Sequence, residues 1–263
     1  MCFCVCGVVS GFGAGRLFAF FHGTDWVALS FMTALTFPLV FGIAFLAIDI
    51  CEFIETKRFT TISVPEGLIM MTFFIAVNIP SNFLGCFFGY KMKTITIPTK
   101  VNRVARDPPA DLPWFLKRRV MAFLSGMLPV FVICFELSQI WQCIKGSGYI
   151  TIVYWSFYIA FVIFTIVVAQ ISVMSTYLLI CYEDYRWWWR CWALGASTGF
   201  FLFCLLVNYF ILALKVSSIT TLIVYGIFAG LFSLSMSLMT GSIALLASFI
   251  FNVEIYKKIK HSD

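Results

Sequence analysis

The chain has 263 residues, of which 62% are hydrophobic, 19% aromatic and only 11% charged, and its formal net charge is +6. A soluble domain cannot bury that much apolar surface, so the composition excludes a water-soluble protein. Several apolar runs are long enough to cross a hydrocarbon core of about 30 Å as helices of about 20 residues, which predicts a protein of the lipid bilayer.

Seven apolar segments are predicted to span the membrane, and they lie at residues 1–21, 26–50, 65–90, 119–143, 149–181, 191–214 and 219–252. Arg16 interrupts the first segment, which lacks the basic flank and the clear cleavage site of a secretory signal, so we interpret it as a span. The predicted fold class is all-α. We expect a polytopic helical membrane bundle of about seven spans, forming a single transmembrane domain over residues 1–263.

The longest polar interval between the predicted spans is residues 91–118. Its prolines oppose a continuous helix and favour an extended backbone. They are Pro98, Pro108, Pro109 and Pro113. We expect a cytosolic connector that either presents a docking surface or lies across the helix ends.

The distribution of basic residues predicts the orientation, because cytosolic loops collect lysine and arginine whereas acids contribute little. A cytosolic C-terminus leaves few bases on the outer side, namely Lys57, Arg58, Lys145 and Lys215. The other lysines and arginines then face the cytosol. The positive charge is therefore a topology signal with a weak attraction to anionic lipid, and it requires no nucleic-acid partner.

Small residues recur at four-residue spacing within the predicted spans. In lipid, helices associate by packing and hydrogen bonds, and such faces permit close backbone approach. The glycines of these faces are Gly7, Gly11, Gly15, Gly85, Gly89, Gly195, Gly199, Gly226 and Gly230, and Ser233, Ser237 and Gly241 continue the last of them. These faces either pack against one another inside the bundle or remain available to the transmembrane helix of a client protein.

A few polar residues fall within the apolar segments. They are Asn78 and Asn82 around Pro80, Glu136 with Gln139 one turn on, and Gln170. Pro80 predicts a broken or kinked helix with a cavity beside it, because proline removes a helical hydrogen bond. An acid near the bilayer centre costs about 2.5 to 3.5 kcal/mol, so we expect Glu136 to face the bundle interior, either as a hydrogen-bonded structural acid or as a proton carrier.

The sequence shows no signature of catalysis. There is no HExxH motif or phosphate-binding glycine loop, and the cysteines form no CxxC pair. We therefore predict no enzyme, cofactor or metal site. Cys181 and Cys191 border the membrane on the predicted cytosolic side, where they are either ordinary span-end residues or sites of palmitoylation.

One stretch combines acids, arginines and aromatic rings at a predicted membrane boundary. Its members are Glu183, Asp184, Tyr185, Arg186, Trp187, Trp188, Trp189 and Arg190. The composition predicts an anchor, with the tryptophans at headgroup depth, the arginines on lipid phosphates and the acids paired with nearby arginines.

This stretch resembles the cytosolic EDYRWWWR signature of the nonaspanins, the transmembrane-nine superfamily. Other segments agree in order: Gly85 to Lys91 resembles the family's GAYFGFK, Gly126 to Pro129 followed by Glu136 and Leu137 resembles GxLPxG...IEL, and Thr240 to Ile243 resembles TGTIG. The resemblance covers essentially the whole chain. It implies the C-terminal membrane portion, from the third to the ninth span, with the lumenal N-terminal domain absent.

The resemblance implies a non-enzymatic Golgi or endosomal protein that sorts or escorts other membrane proteins with glycine-rich transmembrane segments. Its implied partners are the bilayer, client proteins and vesicle coat proteins. Two features depart from the family pattern. Gln170 stands where the family has an acid, so a mechanism with two buried carboxylates is not implied, and Lys260 and Asp263 are one residue further apart than in the family's K-x-D tail signal. The alternatives are a proton- or ion-linked transporter or channel, and an inactive truncated family member.

Overall fold

The computed structural model describes residues 2–56, 64–93, 113–145, 150–214 and 219–260. These residues form α-helices and no strand, as the sequence predicts. The helices are α1 (Cys2–Phe20), α2 (Trp26–Thr56), α3 (Val64–Lys91), α4 (Arg118–Lys145), α5 (Ile150–Cys181), α6 (Trp187–Tyr209) and α7 (Ile219–Lys260). A 3₁₀-helix, Trp114–Leu116, precedes α4, and a π-helix, Phe210–Leu214, prolongs α6.

Each predicted span corresponds in order to one helix, but three bounds differ. Helix α2 continues to Thr56, α6 begins at Trp187 rather than near Cys191, and α7 continues to Lys260. Hydropathy marks where a helix leaves the apolar layer, whereas backbone hydrogen bonding continues into polar sequence. Most of the predicted connector, residues 94–112, lies outside the described residues.

Five of the helices contain a stretch long and apolar enough to cross a membrane. These stretches are Trp26–Cys51, Thr72–Lys91, Trp155–Cys181, Trp187–Leu212 and Ile219–Lys258, and Cys4–Phe20 is a shorter apolar helix. Large apolar side chains such as Met32, Leu46, Trp155 and Phe200 are exposed on the helix surfaces. The protein is therefore a polytopic helical membrane protein whose surface contacts lipid. The number of spans and the cytosolic C-terminus stay predictions.

The chain divides into two compact units, one of residues 1–96 with 217–227 and the other of residues 97–216 with 228–263. In the first unit α1 and α3 run parallel, because Gly11 lies against Asn82 and Gly15 against Cys86. Helix α2 runs antiparallel to α3 and places the Trp26 ring beside aromatic rings near the end of α3. These rings belong to Phe83, Phe87 and Tyr90.

The second unit has two buried apolar clusters. One joins Leu116 before α4 to Met121, Leu179 and Leu194 on α4, α5 and α6. The other joins Phe164 and Val168 on α5 to Ala244 on α7. The first cluster lies at the end of the helices where α4 and α6 begin and α5 ends, which is where the aromatic and charged stretch is found.

Candidate functional site

The aromatic and charged stretch folds into a tight corner between α5 and α6. Helix α5 ends with a Schellman motif, in which the Asp184 N–H donates to the Leu179 carbonyl at 3.0 Å and the Glu183 N–H to the Ile180 carbonyl at 2.9 Å. Glu183 occupies the left-handed position, with φ of 60°. This conformation costs free energy for a residue other than glycine, so the surrounding contacts must hold the corner in place.

Asp184 holds the corner together from a buried position. Its Oδ1 accepts the backbone N–H of Arg186 at 3.1 Å and lies 3.6 Å from the Arg186 Nε. Its Oδ2 lies 2.8 Å from Nη2 of Arg190, and its side chain is fully buried. Asp184 therefore links the end of α5 to the first turn of α6.

The pairing of Asp184 with both arginines confirms for this acid the prediction that the acids pair with nearby arginines, and the pairing of Glu183 stays a prediction. The prediction that both arginines meet lipid phosphates is wrong for Arg190, whose side chain is only 18% exposed, because its guanidinium turns inward to the buried carboxylate. Arg186 keeps half of its side chain exposed. The two arginines of the stretch therefore occupy different environments.

The three consecutive tryptophans also differ from one another. Trp187 packs against the buried cluster that includes Leu116 and Leu194. Trp188 and Trp189 are exposed, the latter to 70%. Because successive residues of a helix point about 100° apart, three in a row do not all face the core. The stretch thus supplies one core residue and two surface rings.

Behind the corner lies a buried hydroxyl network that hydropathy did not predict. Ser172 and Thr176 on α5 bond to the Ser248 hydroxyl on α7, at 2.6 and 2.8 Å. The Thr176 hydroxyl also lies 3.0 Å from the Cys191 Sγ. Serine and threonine are common at contacts between transmembrane helices because they let backbones approach and bond across them.

Cys191 is fully buried within this network. Of the two alternatives for Cys191, burial favours the ordinary span-end residue over palmitoylation, because the first turn of α6 turns its thiol toward Thr176 of α5. Cys181, at the end of α5, is exposed. Palmitoylation of Cys181 stays a prediction.

In the first unit the predicted glycine faces of α1 and α3 interlock. A Cβ built on Gly11 would meet the Asn82 carbonyl oxygen, and one on Gly89 would meet the Phe12 carbonyl oxygen. A Cβ on each of the other glycines of these faces would also lie close to an atom of the opposite helix. They are Gly7 against Asn78, Gly15 against Cys86 and Gly85 against Val8. These five glycines are used in packing within the unit.

In the second unit Gly195 and Gly199 of α6 pack against α7. A Cβ on Gly195 would lie 2.5 Å from the Thr240 carbonyl oxygen, and a Cβ on Gly199 would lie 2.5 Å from the Ser233 carbonyl oxygen. In contrast, a Cβ on Gly226, which belongs to the first unit, or on Gly230, which belongs to the second, meets no atom within 4 Å among the described residues. Of the predicted glycines, only this last pair has no such contact among those residues.

The polar residues around Pro80 are bonded to α2. Asn82 is buried, and its Oδ1 accepts from Thr33 at 3.0 Å and from Ser30 at 3.5 Å. The Asn78 Nδ2 donates to the Ala34 carbonyl at 3.5 Å. Helix α3 continues through Pro80, so the helix is not broken there, and the alternative of a kink stays a prediction. The bonds to α2 supply partners for the two amides, and the cavity stays a prediction.

The other polar residues predicted to be functional lie on α4, on α5 and at the C-terminus. Gln170 is exposed on α5. Glu136 and Gln139 belong to α4, but their side chains lie outside the described part of the chain, and so does the Lys260 side chain at the end of α7. Asp263 lies outside the described residues altogether. The proposed roles of these residues stay predictions.

Two further polar groups were missed by sequence reasoning. The Asp49 Oδ1 on α2 is buried without a hydrogen-bond partner among the described residues, and an acid inside an apolar run is itself a signal that could have identified it. The fully buried Thr198 hydroxyl on α6 also has no hydrogen-bond partner among the described residues. It lines a cavity of about 10 Å³ with Ser125 and Pro129, which has room for about one water molecule.

Apolar outer helix faces, interlocked small residues and a charged corner between two helices define a polytopic helical membrane protein. Residues 1–219 match the family model of endomembrane protein 70, and the chain belongs to this family. Transmembrane 9 superfamily member 4 of Homo sapiens is 30% identical over 259 residues, which cover 97% of this chain and 39% of the relative. Transmembrane 9 superfamily member 9 of Arabidopsis thaliana is 27% identical over 262 residues, with the same coverage.

The chain thus spans 39% of the length of these relatives. This coverage is consistent with the C-terminal membrane portion that the motifs resemble, and the family resemblance is confirmed. No solved structure matches the chain.

Proposed function

We propose that this chain is a non-enzymatic membrane protein of the secretory and endosomal pathway that sorts or escorts other membrane proteins by binding their transmembrane helices. Membership of the transmembrane 9 superfamily supports this class of function. The observation that carries the proposal is the open pair Gly226 and Gly230 on α7, where an added Cβ meets no atom within 4 Å among the described residues.

The openness of this pair stands out because the other predicted glycines have partners. Helix α7 itself shows the contrast, since Ser233 and Ser237, further along the same face, lie against Gly199. Helices in lipid gain stability from close packing rather than from hydrophobic burial, so an unoccupied small-residue face suits a second helix with small residues of its own. A glycine-rich transmembrane segment of a client protein has that property.

The proposed location is the Golgi and endosomal membranes. Coat proteins are proposed to bind the tail through Lys260, the last residue of α7, and Asp263, three residues later in the sequence. The residues that bind coat proteins would then end or directly follow the helix whose face binds clients. Cargo binding and vesicle sorting would then be connected through α7.

Co-purification with a reporter that carries one glycine-rich transmembrane segment tests the proposal. The double substitution Gly226→Leu and Gly230→Leu is expected to lower reporter recovery about tenfold, because the new side chains hold the backbones apart. The matched control is Gly42→Leu on α2, a glycine that is equally free of contacts within 4 Å.

Recovery of the reporter should stay unchanged in the control. A second arm replaces the glycines of the reporter by leucine and should reproduce the loss with the native chain. Equal recovery with the double substitution and with the control would reject the proposed client face.

A further inference from the structure

A second surface feature, independent of the client face, is an apolar groove between α4 and α5. One wall consists of Met121, Leu124, Ser125 and Leu128 on α4, and the other of Ile171, Met174, Ser175 and Leu178 on α5. Both sets follow the i, i+3, i+4, i+7 spacing of a single helix face. The groove has a volume of about 180 Å³ and is lined mainly by apolar atoms.

The groove is open along its side. Leu124, Leu128 and Met174 are all about half exposed or more, and they lie within helices whose outer surfaces are apolar. At its end the groove is closed by Phe115 and Leu116, just before α4 begins. An occupant would therefore enter sideways from the membrane and lie along the two helices.

Basic residues lie directly beyond the closed end of the groove. Lys117, Arg118 and Arg119 are consecutive and exposed. The Met121 N–H donates to the Lys117 carbonyl at 3.0 Å, so Lys117 begins the first turn of α4. Because Arg118 precedes Met121 by three positions, it belongs to the helix face that forms the groove wall.

We propose that this groove binds an anionic glycerophospholipid, with one acyl chain between α4 and α5 and the phosphate on Lys117 and Arg118. The arrangement matches the two halves of such a lipid, since the apolar walls fit a hydrocarbon chain and the exposed bases fit the headgroup. These bases lie on the predicted cytosolic side, and the cytosolic leaflet is the one that carries anionic lipid. A bound lipid would fill the space between the two helices and hold the first turn of α4 in place.

Native mass spectrometry of the purified full chain tests the proposal, with phosphatidylserine or phosphatidylcholine of identical acyl chains as the probe. The native chain should retain one phosphatidylserine with about thirtyfold preference over phosphatidylcholine, as expected for two basic contacts of about 1 kcal/mol each. The double substitution Lys117→Gln and Arg118→Gln should abolish that preference. The matched control, Lys257→Gln with Lys258→Gln, removes two exposed bases from the end of α7 and should keep it.

A second pair of variants tests the acyl half of the site. Leu128→Trp places a bulky ring in the groove wall and should lower retention of both lipids, whereas Leu246→Trp changes an equally exposed leucine of α7 outside the groove and should not. Equal retention of the two lipids by the native chain would overturn the proposal and indicate ordinary surrounding lipid. Equal loss in either control, or unchanged retention in Leu128→Trp, would also overturn it.

Discussion

The carboxylate of Asp184 and the guanidinium of Arg190 form an ion pair of 2.8 Å, although the Asp184 side chain has no exposed surface. A buried carboxylate that bridges the end of one helix and the start of the next stabilises the corner only while its cationic partners are present. Removing one member of a buried pair leaves the other charge without compensation, which costs more than the pair contributes.

Asp184→Asn should therefore lower the free energy of unfolding by about 3 kcal/mol, because the partly buried Arg190 loses its counter-charge. Thermal unfolding of the purified chain in detergent measures the effect. The control is Glu254→Gln, which breaks the exposed pair of Glu254 with Lys257 at 3.8 Å and should cost less than about 0.5 kcal/mol. Equal stability of the two variants would contradict the structural role of the buried pair.

Trp187→Ala should lower stability clearly more than Trp189→Ala, although the residues are only two positions apart. Trp187 packs on the buried cluster beside Leu116, so its truncation should cost about 2 kcal/mol or more. Trp189 is 70% exposed, and its loss should change stability by less than about 1 kcal/mol. Unfolding temperatures in one detergent provide the comparison. Similar losses for both variants would show that the stretch acts as a simple lipid anchor.

Gly11→Ala should destabilise the first unit, whereas Gly13→Ala should not. A methyl group on Gly11 would meet the backbone of Asn82, which cannot move aside as a flexible side chain could, and a methyl group on Gly13 meets nothing within 4 Å. Both changes raise helix propensity equally, so the propensity effect cancels in the comparison. Protease resistance of the purified variants reports the difference. A loss of resistance in Gly13→Ala alone would contradict the packing of α1 on α3.

Cys181 and Cys191 should differ in their reaction with a maleimide probe. Cys181 is exposed, whereas Cys191 is buried beside Thr176. In the folded chain Cys181→Ser should remove one rapidly labelled thiol, and Cys191→Ser should remove none until the protein is unfolded. Peptide mass spectrometry identifies the labelled positions. Rapid labelling of Cys191 would show that the corner opens in solution.

The sequence predicts the order of the helices well because each apolar run is itself the local signal for a span. It predicts packing poorly because identical spacings have different outcomes. Gly7 and Gly11 are enclosed, whereas Gly226 and Gly230 have the same spacing and are open. The choice depends on which helix lies opposite, and this is a tertiary property that no window of one helix contains.

The charged corner shows the same limit at a smaller scale. Its composition predicts a membrane boundary, and α5 does end there while α6 begins. The inward turn of Arg190 and the burial of Cys191 depend on the rotation of the first turn of α6. Asp184 fixes this rotation through its ion pair with Arg190, and Trp187 fixes it through contacts with the cluster around Leu116, which is distant in sequence. The polar residues beside Arg190 and Cys191 in the sequence therefore suggested that both are exposed, whereas in the fold they are not.

The parallel arrangement of α1 and α3 has a consequence for synthesis. The backbone that encloses Gly11 belongs to Asn82, about 70 residues later, so at about 5 to 20 residues per second it is made several seconds after α1. During that interval the small-residue face of α1 is without its final partner. During synthesis of the first unit, packing of α1 against α3 thus competes with packing of α1 against any other helix that is already present.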